Sequence, residues 1–300
     1  MMTQDTTETT TAATNRRHLL QTAGLGAVAL GAVAATGAAM TVPARAQAVT
    51  DADILNFALN LEYLEAEFYL RATTGEGLQP GEVSGTVGTQ GTVTGGSMVP
   101  FSDKRLALAA ADIAKDEHSH VLFLRQQLGS AAVAEPTINL ATSFTMLARA
   151  AGIVGPTGTF NPFADEQSFL IGAYIFEDVG VTAYHGAAPL ISNKDYLSAA
   201  AGILAVEAYH AGEIRSLIQR STNNNLAVYA AKVSNLRATL SGGPRDDFGP
   251  IVNGAFNIAP TDSNSLAFSR TTTQVLRIVY GGGAPSGHLF FPQRLNGLIS

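Results

Sequence analysis

The sequence contains no cysteine and no tryptophan, and only 14% of its 300 residues are charged. Without cysteine the chain can form neither a disulfide bond nor a thiolate site, so any bound metal must have oxygen and nitrogen ligands. Positive charge is not in excess, because the sequence has 18 Lys and Arg but 24 Asp and Glu, which gives a net charge of −6. We therefore expect no nucleic-acid partner and no binding to membranes through basic residues.

The apolar content is high, at 46%, which is enough for a large core. Residues 1–48 are set aside because they look like a twin-arginine export signal, with Arg16 and Arg17 before an Ala/Gly-rich run over residues 19–40. Small residues at Ala46 and Ala48 offer two cleavage sites. We expect removal of the signal, a periplasmic or extracellular location and no stable membrane insertion. The alternative, a retained membrane anchor, fits less well, because the run is rich in Gly and Ala instead of Leu.

A carboxylate and an imidazole lie three residues apart within an apolar helical pattern. Glu117 and His120 share one face of that helix. Ile113, Val121 and Leu124 recur at helical spacing around them, so the face points toward the core. A buried Glu beside a buried His needs a partner. The pair is either a satisfied polar contact in the core or one part of a dinuclear metal site in a four-helix bundle.

The rest of the chain supplies what such a site needs. Glu62 precedes Tyr69 by seven residues, and Glu177 likewise precedes Tyr184. Seven residues are about two helical turns, so both members of each pair stay on one face. A second Glu-x-x-His follows. The order Glu, then Glu-x-x-His, occurs twice, and two facing helical hairpins would bring six side chains to one point: Glu62, Glu117, His120, Glu177, Glu207 and His210. The doubled pattern favours the metal site over the polar core.

Apolar periodicity and capping residues predict four long helices, over residues 51–72, 102–128, 164–190 and 194–220. We assign residues 49–222 to the bundle. A partly helical stretch, 138–153, lies within the long crossover between the two hairpins.

Two further segments lie outside this pattern. The Gly-rich insertion, residues 73–100, predicts a loop or a small β-rich excursion, and its alternating Thr and Val are compatible with a short hairpin. Residues 223–300 form a C-terminal extension of helices and loops that we expect to pack on the bundle.

These residues resemble the ferritin-like superfamily of dinuclear carboxylate proteins, and more closely the bacterial relatives of plant desiccation-related proteins. The resemblance covers most of the chain after the signal and implies an all-α, ferritin-like four-helix bundle. The segments that carry it are residues 59–69, the surroundings of Glu177, and residues 203–210, 270–281 and 290–293.

The resemblance implies a site for two Fe or Mn ions whose ligands are the six residues named above. Glu117 and one partner Glu would bridge the ions, and each His would bind one of them. Asp116 would orient a histidine of the opposite hairpin, whereas the corresponding position is Val206, so the site is expected to be asymmetric. Tyr69 and Tyr184 would bond ligand carboxylates.

Four other ionisable side chains lie close to these ligands in the sequence. Glu65 shares the stripe of Glu62 and is an alternative to it as a ligand, or a neighbour of the site. Glu67 lies well around the same helix and is expected to be solvated. His118 and His185 are rotated about 100° per residue from their ligand neighbours and are not expected to bind metal.

Carboxylate and imidazole donors suit Fe or Mn, which predicts redox chemistry of the ferroxidase or catalase type on O₂ or peroxide. The alternative is a non-catalytic desiccation or stress protein in which the bundle is structural, and a third possibility is a bundle with ligands of low affinity. The insertion and the extension would obstruct cage packing, so we expect a homodimer and not a 24-subunit storage shell.

Overall fold

The computed structural model describes residues 48–223, 225–282 and 289–300, so the predicted export signal, apart from its last residue Ala48, lies outside the described residues. Within these ranges the chain is mainly helical. The helices are α1 (Asp51–Thr74), α2 (Pro80–Val83), α3 (Lys104–Leu128), α4 (Ser143–Ala150), α5 (Glu166–Ala187), α6 (Lys194–Arg220), α7 (Asn225–Ser241) and α8 (Thr272–Val279). Short 3₁₀ turns follow α3 and α5, at Gly129–Ala131 and Ala188–Leu190. None of the helices among the described residues is long and apolar enough to cross a membrane.

The four long helices form two hairpins. Helix α1 packs on α3 and α5 packs on α6, while contacts of α1 with α5 and of α3 with α6 join the hairpins into a bundle. The prediction of an all-α four-helix bundle made of two hairpins is confirmed. A single apolar core runs through the bundle and continues into α7, α8 and the tail.

Local chemistry sets the ends of these helices. Thr50 begins α1 with a capping box, in which its side chain and that of Asp53 each accept a hydrogen bond from the other's backbone N–H. Asp103 caps α3, and Asn193 caps α6. Helix α1 ends at Gly75, whose φ of 84° is the left-handed conformation that glycine adopts readily. Because these signals lie within a few residues of each end, the predicted bounds are close to the observed ones.

The Gly-rich insertion is mainly a loop with one short strand, as predicted, but the hairpin that its Thr and Val alternation allowed does not form. Its strand β1 (Val93–Thr94) instead pairs in parallel with β2 (Ile138–Asn139), which lies in the crossover after α3. A Cβ atom on Gly91 would lie 2.1 Å from the backbone nitrogen of Thr137, so glycine is what permits this approach of two backbones. The insertion is therefore joined along its length to the crossover segment.

The insertion also covers the outer face of α1. Glu67, expected to be solvated, is only 1% exposed. Its carboxylate lies 2.5 Å from Nε of Arg71 and accepts a hydrogen bond from the backbone nitrogen of Leu78 at 2.8 Å. The helix is thus buried on nearly all sides, because the loop that follows it folds back over it.

The C-terminal extension is joined to the bundle through a buried cluster of ion pairs, here called the arginine–aspartate network. It consists of Arg215, Arg237, Arg270, Asp178, Asp246 and Asp247. Asp178 of α5 accepts from Arg215 of α6 and from Arg237 of α7, in each case at 2.8 Å. Three positive and three negative charges balance, which is what charges removed from water require. Near the network the extension also forms a two-stranded antiparallel ribbon, β3 (Ile251–Val252) with β4 (Ala255–Phe256).

Candidate metal centre

The structure brings all six predicted ligand residues together in the centre of the bundle, and all six are buried. They form two overlapping sets of potential ligand atoms, within each of which the atoms lie no more than 4.8 Å apart. The first set is Glu62, Glu117, His120 and Glu207, and the second is Glu117, Glu177, Glu207 and His210. Glu117 and Glu207 belong to both sets, which is the position that bridging carboxylates take between two ions.

His120 directs its Nδ1 atom into the first set. That atom lies 3.3 Å from Glu62 Oε2, 3.4 Å from Glu117 Oε2 and 3.9 Å from Glu207 Oε1. Helices α1, α3 and α6 each supply one of these carboxylates. The first set is thus assembled from both hairpins.

His210 is placed in the same way in the second set. Its Nδ1 lies 2.9 Å from Glu117 Oε1 and 3.6 Å from Glu177 Oε2. Its other ring nitrogen, Nε2, lies 3.4 Å from Asp116 Oδ2 of the opposite hairpin. Asp116 therefore sits where the resemblance placed it.

Two tyrosines cross between the hairpins. Tyr69 of α1 donates its hydroxyl to Glu177 Oε1 on α5, and Tyr184 of α5 donates to Glu62 Oε1 on α1. In each glutamate the second oxygen, Oε2, has no hydrogen-bond partner in the described part of the chain and is the atom that belongs to the cluster. Each tyrosine thus holds one carboxylate oxygen and leaves the other free.

The donor atoms fit a pair of metal ions. Each of the six residues presents at least one buried nitrogen or oxygen that has no hydrogen-bond partner within the described residues. Nδ1 of His210 and Oε1 of Glu117 lie 2.9 Å apart, yet neither has a hydrogen-bond partner among the described residues. Buried polar atoms normally have hydrogen-bond partners. A bound cation would satisfy a group of ligand atoms that lack such partners and point at a common space.

The electrostatics of the metal-free cluster lead to the same conclusion. Burial raises the pKa of Glu62 to about 7, and burial together with the neighbouring Glu117 raises the pKa of Glu207 well above its usual value. Burial would lower the pKa of His120, but the charge of Glu62 and the contact with Glu117 outweigh it and raise that pKa to about 10. Protons thus compensate for excess carboxylate charge when no cation is present.

Comparison with known proteins agrees with this geometry. A sequence profile described as "Ferritin-like domain" matches residues 50–220. The chain belongs to this family. It is 28% identical over 269 residues to the ferritin-like catalase Nec2 of Nesocodon mauritianus, which covers 83% of this chain and 85% of that protein. It is 31% identical over 268 residues to the desiccation-related protein PCC13-62 of Craterostigma plantagineum, with 83% of each chain covered. No solved structure matched.

Glu65 lies beside the ferritin-like site but belongs to neither set of ligand atoms, whereas Glu62 belongs to the first. Its Oε2 atom is buried and unpartnered. Burial and the nearby Glu117 and Glu177 raise its pKa well above the usual value. Glu65 is therefore a neighbour of the cluster that holds a proton in the metal-free chain.

Among the described residues, the two histidines outside the ligand sets point elsewhere. His118 Nε2 lies 2.8 Å from Glu82 of the insertion, and His185 Nδ1 lies 3.2 Å from the carbonyl oxygen of Phe268 in the extension. Each thus contacts a segment outside the four long helices. Neither is part of the ferritin-like site.

Sequence reasoning missed Gly180, which shapes the site. It lies on α5, three residues after Glu177, and a Cβ atom there would lie 2.2 Å from Glu207 Oε2. The absence of a side chain on one helix therefore makes room for a carboxylate of another. A glycine inside an apolar helical pattern, where it costs about 1 kcal/mol relative to alanine, is the signal that indicates such a contact.

Proposed function

We propose that this ferritin-like chain binds two Fe or Mn ions through Glu62, Glu117, His120, Glu177, Glu207 and His210 and carries out redox chemistry on a small oxidant. The observation that supports this proposal is that each of these residues directs at least one buried N or O atom, without a hydrogen-bond partner among the described residues, at a common space. Four carboxylates nearly balance two divalent ions, and this set of oxygen and nitrogen donors is one that Fe and Mn accept. Such a pair of ions supplies a two-electron couple.

Peroxide is the substrate we place first. In its disproportionation two molecules of H₂O₂ give two of water and one of O₂, so one peroxide is reduced, the other is oxidised and no further reductant is consumed. A relative that covers most of the chain is named a ferritin-like catalase. Oxidation of Fe(II) by O₂, the ferroxidase reaction, is the alternative within the same class.

The residues of the chain have separable roles in this proposal. The tyrosines orient Glu177 and Glu62, and Asp116 orients His210. Glu65 holds a proton next to the ligands without belonging to either ligand set. The apolar side chains around the cluster exclude water and so strengthen every electrostatic interaction inside it.

The first test is the metal content of the mature chain, purified from the exported fraction without added metal, beside a Glu117→Ala, Glu207→Ala double variant. We expect about two Fe or Mn per chain, lost in the variant. Peroxide loss and O₂ production would then be compared with O₂ consumption on addition of Fe(II). Absence of metal from both proteins would contradict the proposal.

The second candidate function is non-catalytic protection during stress or drying, with a structural bundle. It is favoured by the similarity to a protein named desiccation-related. The two candidates differ in one measurement. Metal-loaded protein that neither consumes peroxide nor oxidises Fe(II), yet preserves a test enzyme through drying, would favour protection.

Location and assembly are part of the proposal. We infer export through the N-terminal signal and expect the mature chain to begin after Ala46 or Ala48, which N-terminal sequencing would show. Light scattering is expected to give the mass of a homodimer.

A further inference from the structure

Exchanging the two hairpins approximately converts one metal position into the other. Each has one glutamate of its own, Glu62 or Glu177, and one histidine of its own, and each shares the two central carboxylates. The tyrosine hydrogen bonds obey the same relation, because Tyr69 donates to Glu177 and Tyr184 donates to Glu62. To this extent the positions are equivalent.

The two positions differ at the outer nitrogen, Nε2, of each histidine ring. His210 Nε2 lies 3.4 Å from Asp116, the residue before Glu117 on α3. The residue before Glu207 on α6 is Val206, which has no polar atom to offer in return. Within the part of the chain that the structure describes, His120 Nε2 has no hydrogen-bond partner, and its side chain keeps 11% of its surface exposed.

A carboxylate on the outer nitrogen of a metal-binding histidine fixes the tautomer and the orientation of the ring and increases its basicity. Removing such a partner typically costs about 10- to 100-fold in metal affinity. His210 has this support and also keeps its ring close to Glu117, at 2.9 Å. His120 has neither this support nor a contact as short.

We propose that the two positions have different affinities, with the ion at Glu177 and His210 bound first and more tightly, and the ion at Glu62 and His120 bound second and more weakly. This inference rests on the proposed function, because it requires that the cluster bind metal.

The test is a calorimetric titration of metal-free full-length chain with MnCl₂, together with anomalous diffraction from crystals that contain one equivalent of Mn(II). We expect two binding steps that differ by about 10- to 100-fold, with the first ion next to His210. Asp116→Ala is expected to weaken the first step by a similar factor and bring the two steps together. Val206→Asp supplies the missing carboxylate and is expected to tighten the second step.

Matched controls separate the hydrogen bond from a general effect of charge. Asp112 lies on the same helix and, like Asp116, 3.4 Å from Lys115, but it is exposed and makes no hydrogen bond or ion pair with His210 among the described residues. Asp112→Ala should leave both steps unchanged, as should Ala205→Asp beside Val206. Thermal denaturation of each variant shows whether it is folded.

The outcomes distinguish the two proposals. No Mn(II) binding by the folded chain would contradict the proposed function and this inference with it. Two ions bound with equal affinity, a first ion next to His120, or two separate steps that persist in Asp116→Ala would overturn the inference alone.

Discussion

Tyr69 of α1 donates its hydroxyl to Glu177 of α5, across the boundary between the two helical hairpins. Tyr184 and Glu62 repeat this relationship in the opposite direction. In both glutamates one oxygen is held by a tyrosine and the other remains without a partner. These two hydrogen bonds connect the packing of the hairpins to the placement of the candidate ligands.

Tyr69→Phe is expected to destabilise the fold by about 1–3 kcal/mol, the typical cost of leaving a buried polar group unsatisfied. The ring and its packing are kept, so the effect reports on the hydroxyl. Chemical denaturation measures the free energy of unfolding, and Mn(II) titration should show weaker binding next to Glu177. Tyr209→Phe is the control, because Tyr209 is 77% exposed. Equal stability of the two variants would contradict the role given to Tyr69.

Gly180→Ala and Gly202→Ala form a matched pair in two long helices. Alanine favours a helix by about 1 kcal/mol over glycine at either site. A Cβ at Gly202 meets nothing within 4 Å, whereas one at Gly180 would meet Glu207 Oε2 at 2.2 Å. Gly202→Ala should therefore raise the melting temperature and leave metal binding unchanged. Gly180→Ala should displace Glu207 and weaken metal binding about tenfold or more, the scale for groups that position ligands; unchanged affinity would show that Glu207 is not held there.

Arg237→Ala removes one member of the arginine–aspartate network. Asp178 and Asp247 would each lose an ion-pair partner in a water-excluded region, so we expect a loss of about 3–5 kcal/mol in the free energy of unfolding. Arg220→Ala is the control, because its ion pair with Glu213 is exposed and such pairs contribute about 0–1 kcal/mol. Denaturant titration compares the two variants. A small loss for Arg237→Ala would mean that water enters the network.

The metal-free chain should lose stability as pH rises. Burial raises the pKa of Glu62 from 4.5 to about 7, so the folded chain binds that proton more tightly than the unfolded chain does. The resulting contribution to stability is lost as pH rises from 4.5 to about 7. The pKa of His120 is raised from 6.5 to about 10, mainly because the charge of Glu62 outweighs burial, and its contribution fades as pH rises through about 10.

Melting temperatures of the chelator-treated protein, measured from about pH 5 to about pH 9, are therefore expected to fall. The metal-loaded protein should show a much weaker fall, since the ions replace the protons. Glu62→Gln removes the first of these titrations and should flatten the curve of the metal-free protein below about pH 7. A melting temperature that rises over this range would contradict the description of the cluster as one in which protons compensate for excess carboxylate charge.

The amino-acid sequence alone determined the four long helices, most of their ends and the six residues that meet at the cluster. These features are encoded locally, because a cap acts within one turn and residues three, four or seven positions apart share a helix face. Because the order Glu, then Glu-x-x-His, occurs twice, the chain has few ways to bury these charges other than in one cluster. The seven-residue spacing placed each tyrosine on the face of a ligand glutamate, but the glutamate that it bonds belongs to the other hairpin, and that choice depends on how the hairpins pack.

Only the tertiary structure decided the rest. The parallel pairing of β1 with β2, the burial of Glu67, the arginine–aspartate network and the contact of Gly180 with Glu207 each join segments distant in the chain or on different helices. Helical periodicity shows which residues share a face, but it does not show what a flexible insertion or a C-terminal extension lays against that face. Those contacts depend on how loops close over long sequence separations, where local propensity carries no information.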